Sequence, residues 1–287
     1  MTTPSSYSTW PIRKSKSCPS VHGTLRHEPQ PYVSYNPIHG TDIEKLLSLE
    51  SEIHENWTKV KKTKDAEVWR RNSTNPNTPP ITKAVLHLEG VPYEIAVKYI
   101  TDWEQRRNWD KTFAVIDILE RIGNFKVIYC SFKMPLFCNK REMVLACLER
   151  HDFDQRCHIQ AMCSILHPSV PQVVQTKTIR AESFISGIIV RPINDGLESS
   201  KVTVITQIDL RGKAPQGIKN NYLAGNPIKW MQMLKKYHAK HKDDVDRKVS
   251  EASDQSFEKH ADQSQSSQSG SPDKSYKTSN SVDNITD

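Results

Sequence analysis

The segment from Asp102 to Asp110, DWEQRRNWD, holds an arginine and an aspartate at a spacing that suits the binding of an anion. In a helix, Arg106 and Asp110 lie about one turn apart on the same face. If that face points inward, the carboxylate holds the guanidinium in place and leaves its other N–H donors free for a phosphate or carboxylate. If the face points to solvent, the pair is a surface ion pair of little energetic weight. The spacing alone leaves both interpretations open.

Composition predicts one folded domain with polar extensions at both ends. The chain has 287 residues, of which 36% are hydrophobic and 25% charged, as in an ordinary globular protein. Residues 1–41 are rich in Pro, Ser and Thr, and residues 243–287 are rich in Ser, Asp, Gln and Lys. Neither stretch contains enough large apolar side chains to offset the entropy of ordering. We expect disorder at both ends and a single domain over residues 42–242.

The cysteine pattern and the hydropathy both favour a cytoplasmic protein. The six cysteines form no C-x-x-C pair, and no nearby histidine completes a zinc site, so we expect reduced thiols and no metal. No apolar run approaches the length of about 20 residues that spans a bilayer. The first 27 residues are poor in acids, as in a mitochondrial presequence, but three prolines interrupt any helix there. We expect a disordered arm instead.

The formal charge of +7 is concentrated near the end of the predicted domain. Four lysines there are candidates for docking on an anionic membrane surface: Lys229, Lys235, Lys236 and Lys240. No aromatic residues alternate with them as a nucleic-acid stacking surface would require, so we expect no nucleic-acid partner. The alternative is a solvated helical face without a partner.

The periodicity of the chain predicts an α+β fold. A helix is expected from Thr41 or Asp42 to about Trp57, and a second one begins at Pro92 and runs into DWEQRRNWD. A long helix opens at Pro215, with a kink near Pro227. Strands are expected at residues 58–62, 66–72, 81–88, 125–132, 143–148, 157–163, 173–179, 183–190 and 202–210. This order favours a curved antiparallel sheet of about nine strands around the long C-terminal helix.

Five motifs in this order resemble those of the steroidogenic-acute-regulatory-protein-related lipid-transfer (START) family, in its phosphatidylcholine-transfer branch. They are RRNWD at 106–110, KMPLFCNKRE at 133–142, FISGIIVRPI at 184–193, TVITQIDLRGKAP at 203–215 and GNPIKW at 225–230. The resemblance implies a helix-grip fold that encloses one lipid in a tunnel. It also implies a lid formed by the C-terminal helix and the loop around residues 134–141.

The resemblance implies specific roles for several residues. In the phosphatidylcholine carrier, the arginine that matches Arg106 contacts the lipid phosphate, and the acid that matches Asp110 lies beside it. Two positions of its aromatic choline cage correspond here to Cys130 and Met143, which offer no ring face for cation–π contact. With Tyr129 placed beside them, we expect no aromatic box for a quaternary ammonium and near-even use of phosphatidylcholine and phosphatidylethanolamine.

The remaining candidates are apolar side chains of the tunnel and its lid: Phe132, Met134, Leu136, Phe137, Ile218, Tyr222 and Met231. Ordinary core packing explains each of them equally well. We expect a carrier of one glycerophospholipid, without cofactor or catalytic residue, that touches membranes transiently. The alternatives are a lipid-sensing regulatory protein with the same pocket and an enzyme of the same fold, although no G-x-S-x-G or H-E-x-x-H motif is present.

Overall fold

A computed structural model describes residues 38–75, 77–135, 138–171, 178–194, 198–212 and 226–243. Within them the helices are α1 Gly40–Ser51, α2 Tyr93–Thr101, α3 Trp103–Trp109 and α4, residues 226–243. The strands are β1 Thr58–Lys62, β2 Ala66–Arg71, β3 Ile81–Leu88, β4 Phe113–Ile122, β5 Phe125–Phe132, β6 Lys140–Asp152, β7 Cys157–Ser164, β8 Thr178–Arg180, β9 Glu182–Pro192 and β10 Ser200–Asp209.

The ten strands form one curved sheet in the order β1-β2-β3-β10-β9-β7-β6-β5-β4. Every pairing in this order is antiparallel, and the short strand β8 pairs with the start of β6 in parallel. The last strand of the chain, β10, lies inside the sheet, where it pairs with β3 on one side and β9 on the other. This arrangement confirms the predicted α+β helix-grip architecture.

Helices cover both faces of the sheet, and each face has its own hydrophobic core. The concave face packs against α2, α3 and α4, which contribute Tyr99, Trp103, Trp109 and Trp230. The convex face packs against α1, whose Ile43, Leu46 and Leu49 are buried. The period of two along each strand sends alternate side chains to these two cores.

The convex core is tightly closed around the end of α1. A Cβ atom added to Gly187 in β9 would lie 2.3 Å from Cδ1 of Leu46, so the backbone of this strand lies directly against the helix. Lys83 of β3 is fully buried, and its Nζ donates to the carbonyl oxygens of Leu49 at 3.0 Å and Glu52 at 3.1 Å. These carbonyls at the helix end would otherwise lack donors.

Asp102 breaks the second predicted helix into two. Its Oδ1 accepts hydrogen bonds from the backbone N–H of Glu104 at 3.0 Å and Gln105 at 3.1 Å, so it is the N-cap of α3. The indole Nε1 of Trp109 donates to the carbonyl oxygen of Tyr99 at 3.1 Å and ties α3 back to α2. This break directs the inner face of α3 toward the sheet.

Arg141, at the start of β6, is fully buried and lies among backbone carbonyls. Its Nε donates to the Leu210 oxygen at 2.8 Å and its Nη2 to the Arg211 oxygen at 3.1 Å, while Nη1 donates to the Asn139 oxygen. Within the described residues no carboxylate pairs with it. One side chain thus holds together the connection before β6 and the chain that leaves β10.

Some elements differ from the sequence predictions. The first helix ends at Ser51, before the expected end near Trp57. The edge strand β4 was missed, because its half-exposed residues alternate only weakly. Of the strand expected at 173–179, the described part is β8, residues 178–180, and it pairs in parallel. The expected helix start at Pro215 lies outside the described residues. The five cysteines that the structure describes are free thiols, as expected.

Candidate functional site

A largely apolar cavity lies between the concave face of the sheet and helices α3 and α4. The described residues enclose about 150 Å³ there. The lining combines aromatic and aliphatic side chains from eight elements with a few hydroxyl groups. The members used below are Trp103, Arg106, Thr112, Phe113, Phe132, Met143, Ser183, Ser186 and Trp230. We call this space the concave cavity.

Arg106 places the one guanidinium group in the lining of the concave cavity that the structure describes. Only 7% of the residue is exposed, and Asp110 beside it is 2% exposed. Its Nε donates to Oδ2 of Asp110 at 2.9 Å. Its Nη1 is buried and has no hydrogen-bond partner among the described residues. The buried interpretation of this pair is therefore correct, and an N–H donor remains available in an apolar cavity.

Hydrogen bonds from Thr112, two residues further on, fix the carboxylate of Asp110 in place. Asp110 ends α3, and its Oδ1 accepts from the backbone N–H of Thr112 at 3.2 Å and from the Thr112 hydroxyl. Both carboxylate oxygens therefore have donors, one on each side. A carboxylate fixed in this way fixes the position of the arginine, so the site is built before any ligand enters.

Four aromatic rings surround the guanidinium carbon of Arg106. The distances to the ring centroids are 4.6 Å for Trp103, 5.2 Å for Phe113, 5.6 Å for Trp230 and 5.8 Å for Trp109. These distances are within the range of cation–π attraction. Rings from α3, β4 and α4 thus meet around the arginine itself. The expectation that Cys130 and Met143 leave no aromatic box for a quaternary ammonium stays a prediction.

Cys130 and Met143 are cross-strand neighbours on β5 and β6, as the register of these strands requires. Met143 lines the concave cavity, whereas Cys130 is fully buried in the core of the same face. Burial raises the pKa of the Cys130 thiol to about 12. The thiol stays protonated at neutral pH and behaves as a small apolar group.

Tyr129 does not lie beside these two residues. It precedes Cys130 in β5, and alternation along a strand sends the two side chains to opposite faces of the sheet. Its hydroxyl donates to Oε2 of Glu142 at 2.9 Å, and Oε1 of Glu142 accepts from Arg180 at 2.9 Å. The structure thus places Tyr129 in a polar network on the convex side, away from the concave cavity.

The apolar candidates divide into three groups. Phe132 lines the concave cavity, and Met134 packs against its core. Met231 is buried in that core next to Trp230 but does not itself line the cavity. The predicted lid residues Leu136, Phe137, Ile218 and Tyr222 lie outside the described residues.

Sequence reasoning missed the rings and the hydroxyls of the cavity. Trp103 and Trp230 stand inside motifs that were recognised, so their size and type were the available signal. Ser183 and Ser186 share a hydrogen bond of 2.7 Å between their hydroxyl oxygens. Both serines lie in β9, ESFISGIIVRP, where the sequence pattern predicted a strand but gave no signal for a pair of facing hydroxyls.

The four candidate lysines of α4 do not form one surface. Nζ of Lys235 pairs with Oδ2 of Asp65 at 3.1 Å. Lys236 and Lys240 instead line an open cleft, together with Arg107 and Lys111 near the end of α3. Lys229 is exposed elsewhere on the helix. Among the described residues, no helix has the length and apolar character needed to cross a bilayer.

The architecture and the cavity define a helix-grip protein, a class in which a sheet and its last helix enclose a ligand space. The sequence model of the START domain matches residues 39–243. The chain therefore belongs to the START domain family, whose shared property is the binding and transfer of lipids.

Individual relatives are distant. The chain is 26% identical over 164 residues to the mitochondrial steroidogenic acute regulatory protein of Oncorhynchus mykiss, covering 56% of this chain and 55% of that one. It is 24% identical over 188 residues to the Bos taurus protein of the same name, covering 60% and 64%. The matches thus span about half to two thirds of these relatives.

Solved structures support the fold. Human STARD10 superposes with a TM-score of 0.64 at 21% identity, over 75% of this chain and 85% of that chain. Human StAR-related lipid transfer protein 5 superposes with a TM-score of 0.60 at 16% identity, over 69% and 95%. At these identities the likeness concerns the fold alone.

Proposed function

We propose that this chain carries one glycerophospholipid at a time between membranes, with the lipid phosphate bound to Arg106 in the concave cavity. The observation that supports the proposal is the buried Nη1 of Arg106, which has no partner among the described residues. A buried donor without a partner costs roughly 1–3 kcal/mol. A phosphate oxygen would satisfy it with a charge-assisted hydrogen bond.

The rest of the cavity suits the acyl chains. Its walls near Arg106 are the side chains of Phe113, Phe132 and Met143, all apolar. Each methylene that leaves a membrane for water costs about 0.8 kcal/mol, so a carrier must offer an apolar surface in exchange. Cation–π contacts with Trp103 and Phe113 stabilise the guanidinium within this apolar wall.

Loading requires the concave cavity to grow. The described residues enclose about 150 Å³, and an apolar cavity of about this size admits a molecule such as benzene. Two acyl chains need far more space. We therefore propose that α4 and the β5–β6 connection move apart from the sheet when lipid enters, which agrees with the lid that the family resemblance implies.

The headgroup would lie between Arg106 and Met143. Met143 and Cys130 offer no ring to a quaternary ammonium, and the nearby rings already face the guanidinium. We propose that phosphatidylcholine and phosphatidylethanolamine both load, with little preference. We further propose a cytoplasmic location with transient membrane contact, although the curated relatives named above are mitochondrial.

The test is a loading experiment with two arginine variants. Wild-type protein, Arg106→Ala and Arg121→Ala are incubated with vesicles of both phospholipids, and native mass spectrometry measures the lipid-bound fraction. Arg121 is an exposed arginine of β4 and changes the net charge equally. We expect the lipid-bound fraction of Arg106→Ala to fall at least about tenfold, because the variant loses one charge-assisted hydrogen bond to the phosphate. Arg121→Ala should load like the wild type.

Equal loading by all three proteins would contradict the phosphate site. Transfer between donor and acceptor vesicles separates the two roles left open by the sequence. A carrier transfers lipid rapidly, whereas a lipid-sensing regulatory protein binds it without rapid exchange. Urea denaturation must show that the Arg106→Ala variant is still fully folded under the loading conditions, so that a loss of loading is not a loss of fold.

A further inference from the structure

A second concave feature lies on the outer side of α3 and α4. It is an open cleft of about 670 Å³ between the end of α3 and the C-terminal half of α4. This volume falls within the range of roughly 300–1,000 Å³ typical of ligand sites. Its lining residues are Arg107, Asn108, Trp109, Lys111, Met233, Lys236, Tyr237, Lys240 and His241. We call it the basic cleft.

The charges of the basic cleft are hardly neutralised. Lys236 and Lys240 lie one helical turn apart on α4, and both are exposed. Neither has a carboxylate partner among the described residues. Arg107 faces Asp117 only at 3.5 Å, with both side chains nearly half exposed. Nζ of Lys111 donates to a backbone carbonyl, that of Asn108, at 2.7 Å. Four cations therefore converge on one concavity, and Asp117 is the one carboxylate that pairs with any of them in the part of the chain that the structure describes.

The neighbouring lysine shows that this convergence is specific to one side of α4. Lys235, next in the chain to Lys236, is turned away and paired with Asp65. Lys229 and Lys242 are exposed on the same helix but do not line the cleft. A merely solvated helical face would not gather its unpaired lysines opposite an arginine and a lysine from another element.

We infer that the basic cleft binds the multiply phosphorylated headgroup of an anionic membrane lipid and docks the protein on membranes that contain it. Several cations within one pocket match several phosphates on one ring, whereas a singly charged headgroup would satisfy only part of them. The cleft is also lined by the half-buried ring of Tyr237, which packs on His241 with ring centroids 4.2 Å apart. A tyrosine ring with its polar hydroxyl suits the level of lipid headgroups.

The basic cleft adjoins the concave cavity without being part of it. Trp109 lines the cleft and packs against Trp230, which lines the cavity, with their ring centroids 5.2 Å apart. Arg107 of the cleft follows Arg106 of the cavity in sequence. The inference rests on the proposed lipid carriage only in that a carrier must meet a membrane, and its site and its variants are separate.

The test compares two double variants of α4 that remove the same charge. Lys236→Ala with Lys240→Ala empties the cleft of two cations, and Lys229→Ala with Lys242→Ala removes two outside it. Cosedimentation measures binding to phosphatidylcholine vesicles that contain phosphatidylinositol 4,5-bisphosphate, or phosphatidylserine at equal total charge. We expect the wild type to prefer the bisphosphate vesicles. We expect the cleft variant to bind them about 30-fold more weakly, and the control variant to lose little.

Three outcomes would overturn the inference. Equal losses in the two double variants, or equal binding to both vesicle types, would mean diffuse attraction to charge. A phosphorylated peptide that binds the wild type when bisphosphate vesicles do not would mean a protein partner. Lipid loading distinguishes the two proposals, because the cleft variant should load phospholipid like the wild type once lipid is supplied in detergent-dispersed form.

Discussion

The convex and concave faces of the same sheet differ in how closely they are packed and in whether their buried cation has all its hydrogen-bond partners. On the convex face, α1 leaves no room for even one added methyl group at Gly187, and Lys83 finds two carbonyl acceptors. On the concave face a cavity remains, and a donor of Arg106 is buried without a partner. The comparison teaches that close packing on one side of a sheet can stabilise the fold while the other side retains a cavity and a donor without a partner among the described residues.

The largest expected effect is on the concave face. Asp110→Ala leaves the Arg106 guanidinium buried without its carboxylate, so we expect a loss of about 3–5 kcal/mol in the free energy of unfolding. Urea denaturation of lipid-free protein measures it. The double variant Arg106→Met with Asp110→Ala should recover most of this loss, because it buries no charge. A loss below about 1 kcal/mol would be that of a surface ion pair and would contradict the buried pair.

A pH effect should come next, from His158 on the concave side of β7. Neither of its ring nitrogens has a hydrogen-bond partner among the described residues, and burial lowers its pKa to about 4. The groups around it are Glu149, Lys126 and His151. Because the unfolded chain binds a proton near pH 6.5 and the folded one only near pH 4, stability falls as the pH falls through this window.

His158→Gln should therefore flatten the pH dependence of unfolding. We expect the variant to lose less stability than the wild type between pH 6.5 and 4, by up to about 3 kcal/mol. Urea midpoints measured across this range test it. The exposed His87 gives the matched variant, His87→Gln, whose pH profile should follow that of the wild type. Parallel profiles for wild type and His158→Gln would contradict a buried neutral histidine.

A smaller effect is expected on the closely packed convex face. Gly187→Ala places a methyl group against Leu46, and we expect a loss of about 1–3 kcal/mol from overpacking. Gly40→Ala is the control, because a Cβ at Gly40 meets nothing within 4 Å. Thermal and urea unfolding measure both. Combining Gly187→Ala with Leu46→Ala should cost less than the sum of the two single changes, and strict additivity would mean that the two residues do not touch.

The smallest expected effect concerns headgroup choice. Cys130→Trp with Met143→Tyr should shift loading toward phosphatidylcholine by about 1–2 kcal/mol, because new rings reward the quaternary ammonium. Met143→Tyr alone, at a position that lines the cavity, tests the idea without disturbing the buried Cys130. Competitive loading from an equimolar mixture measures the shift. A wild type that loads phosphatidylcholine almost exclusively would show that Trp103, Phe113 and Trp230 already form the cage.

Local rules predicted the pair but not its surroundings. Helical spacing alone joined Arg106 to Asp110, since both stand on one short element. The rings of Phe113 and Trp230 come from elements far apart in the chain, and only the packing of β4 and α4 brings them to the arginine. No periodicity in one segment encodes such a meeting.

Other errors arose where one local rule outweighs another. Asp102 lies within a continuous helical pattern, but its side chain caps a new helix and stops the old one. Tyr129 was placed beside Cys130, although the period of two in a strand separates them. For Lys235 and Lys236 the helical period predicts different directions, but only the position of Asp65 on another element decides which lysine is neutralised.

Arg141 has a further consequence for how this end of the molecule yields to force. Its guanidinium is shared by backbone oxygens at Asn139, Leu210 and Arg211, about seventy positions apart in the chain. A buried cation held only by carbonyl dipoles loses compensation with every oxygen that departs. Detachment of either segment would therefore also weaken the hold on the other one. We expect the connection before β6 and the chain after β10 to unfold together, as one cooperative unit.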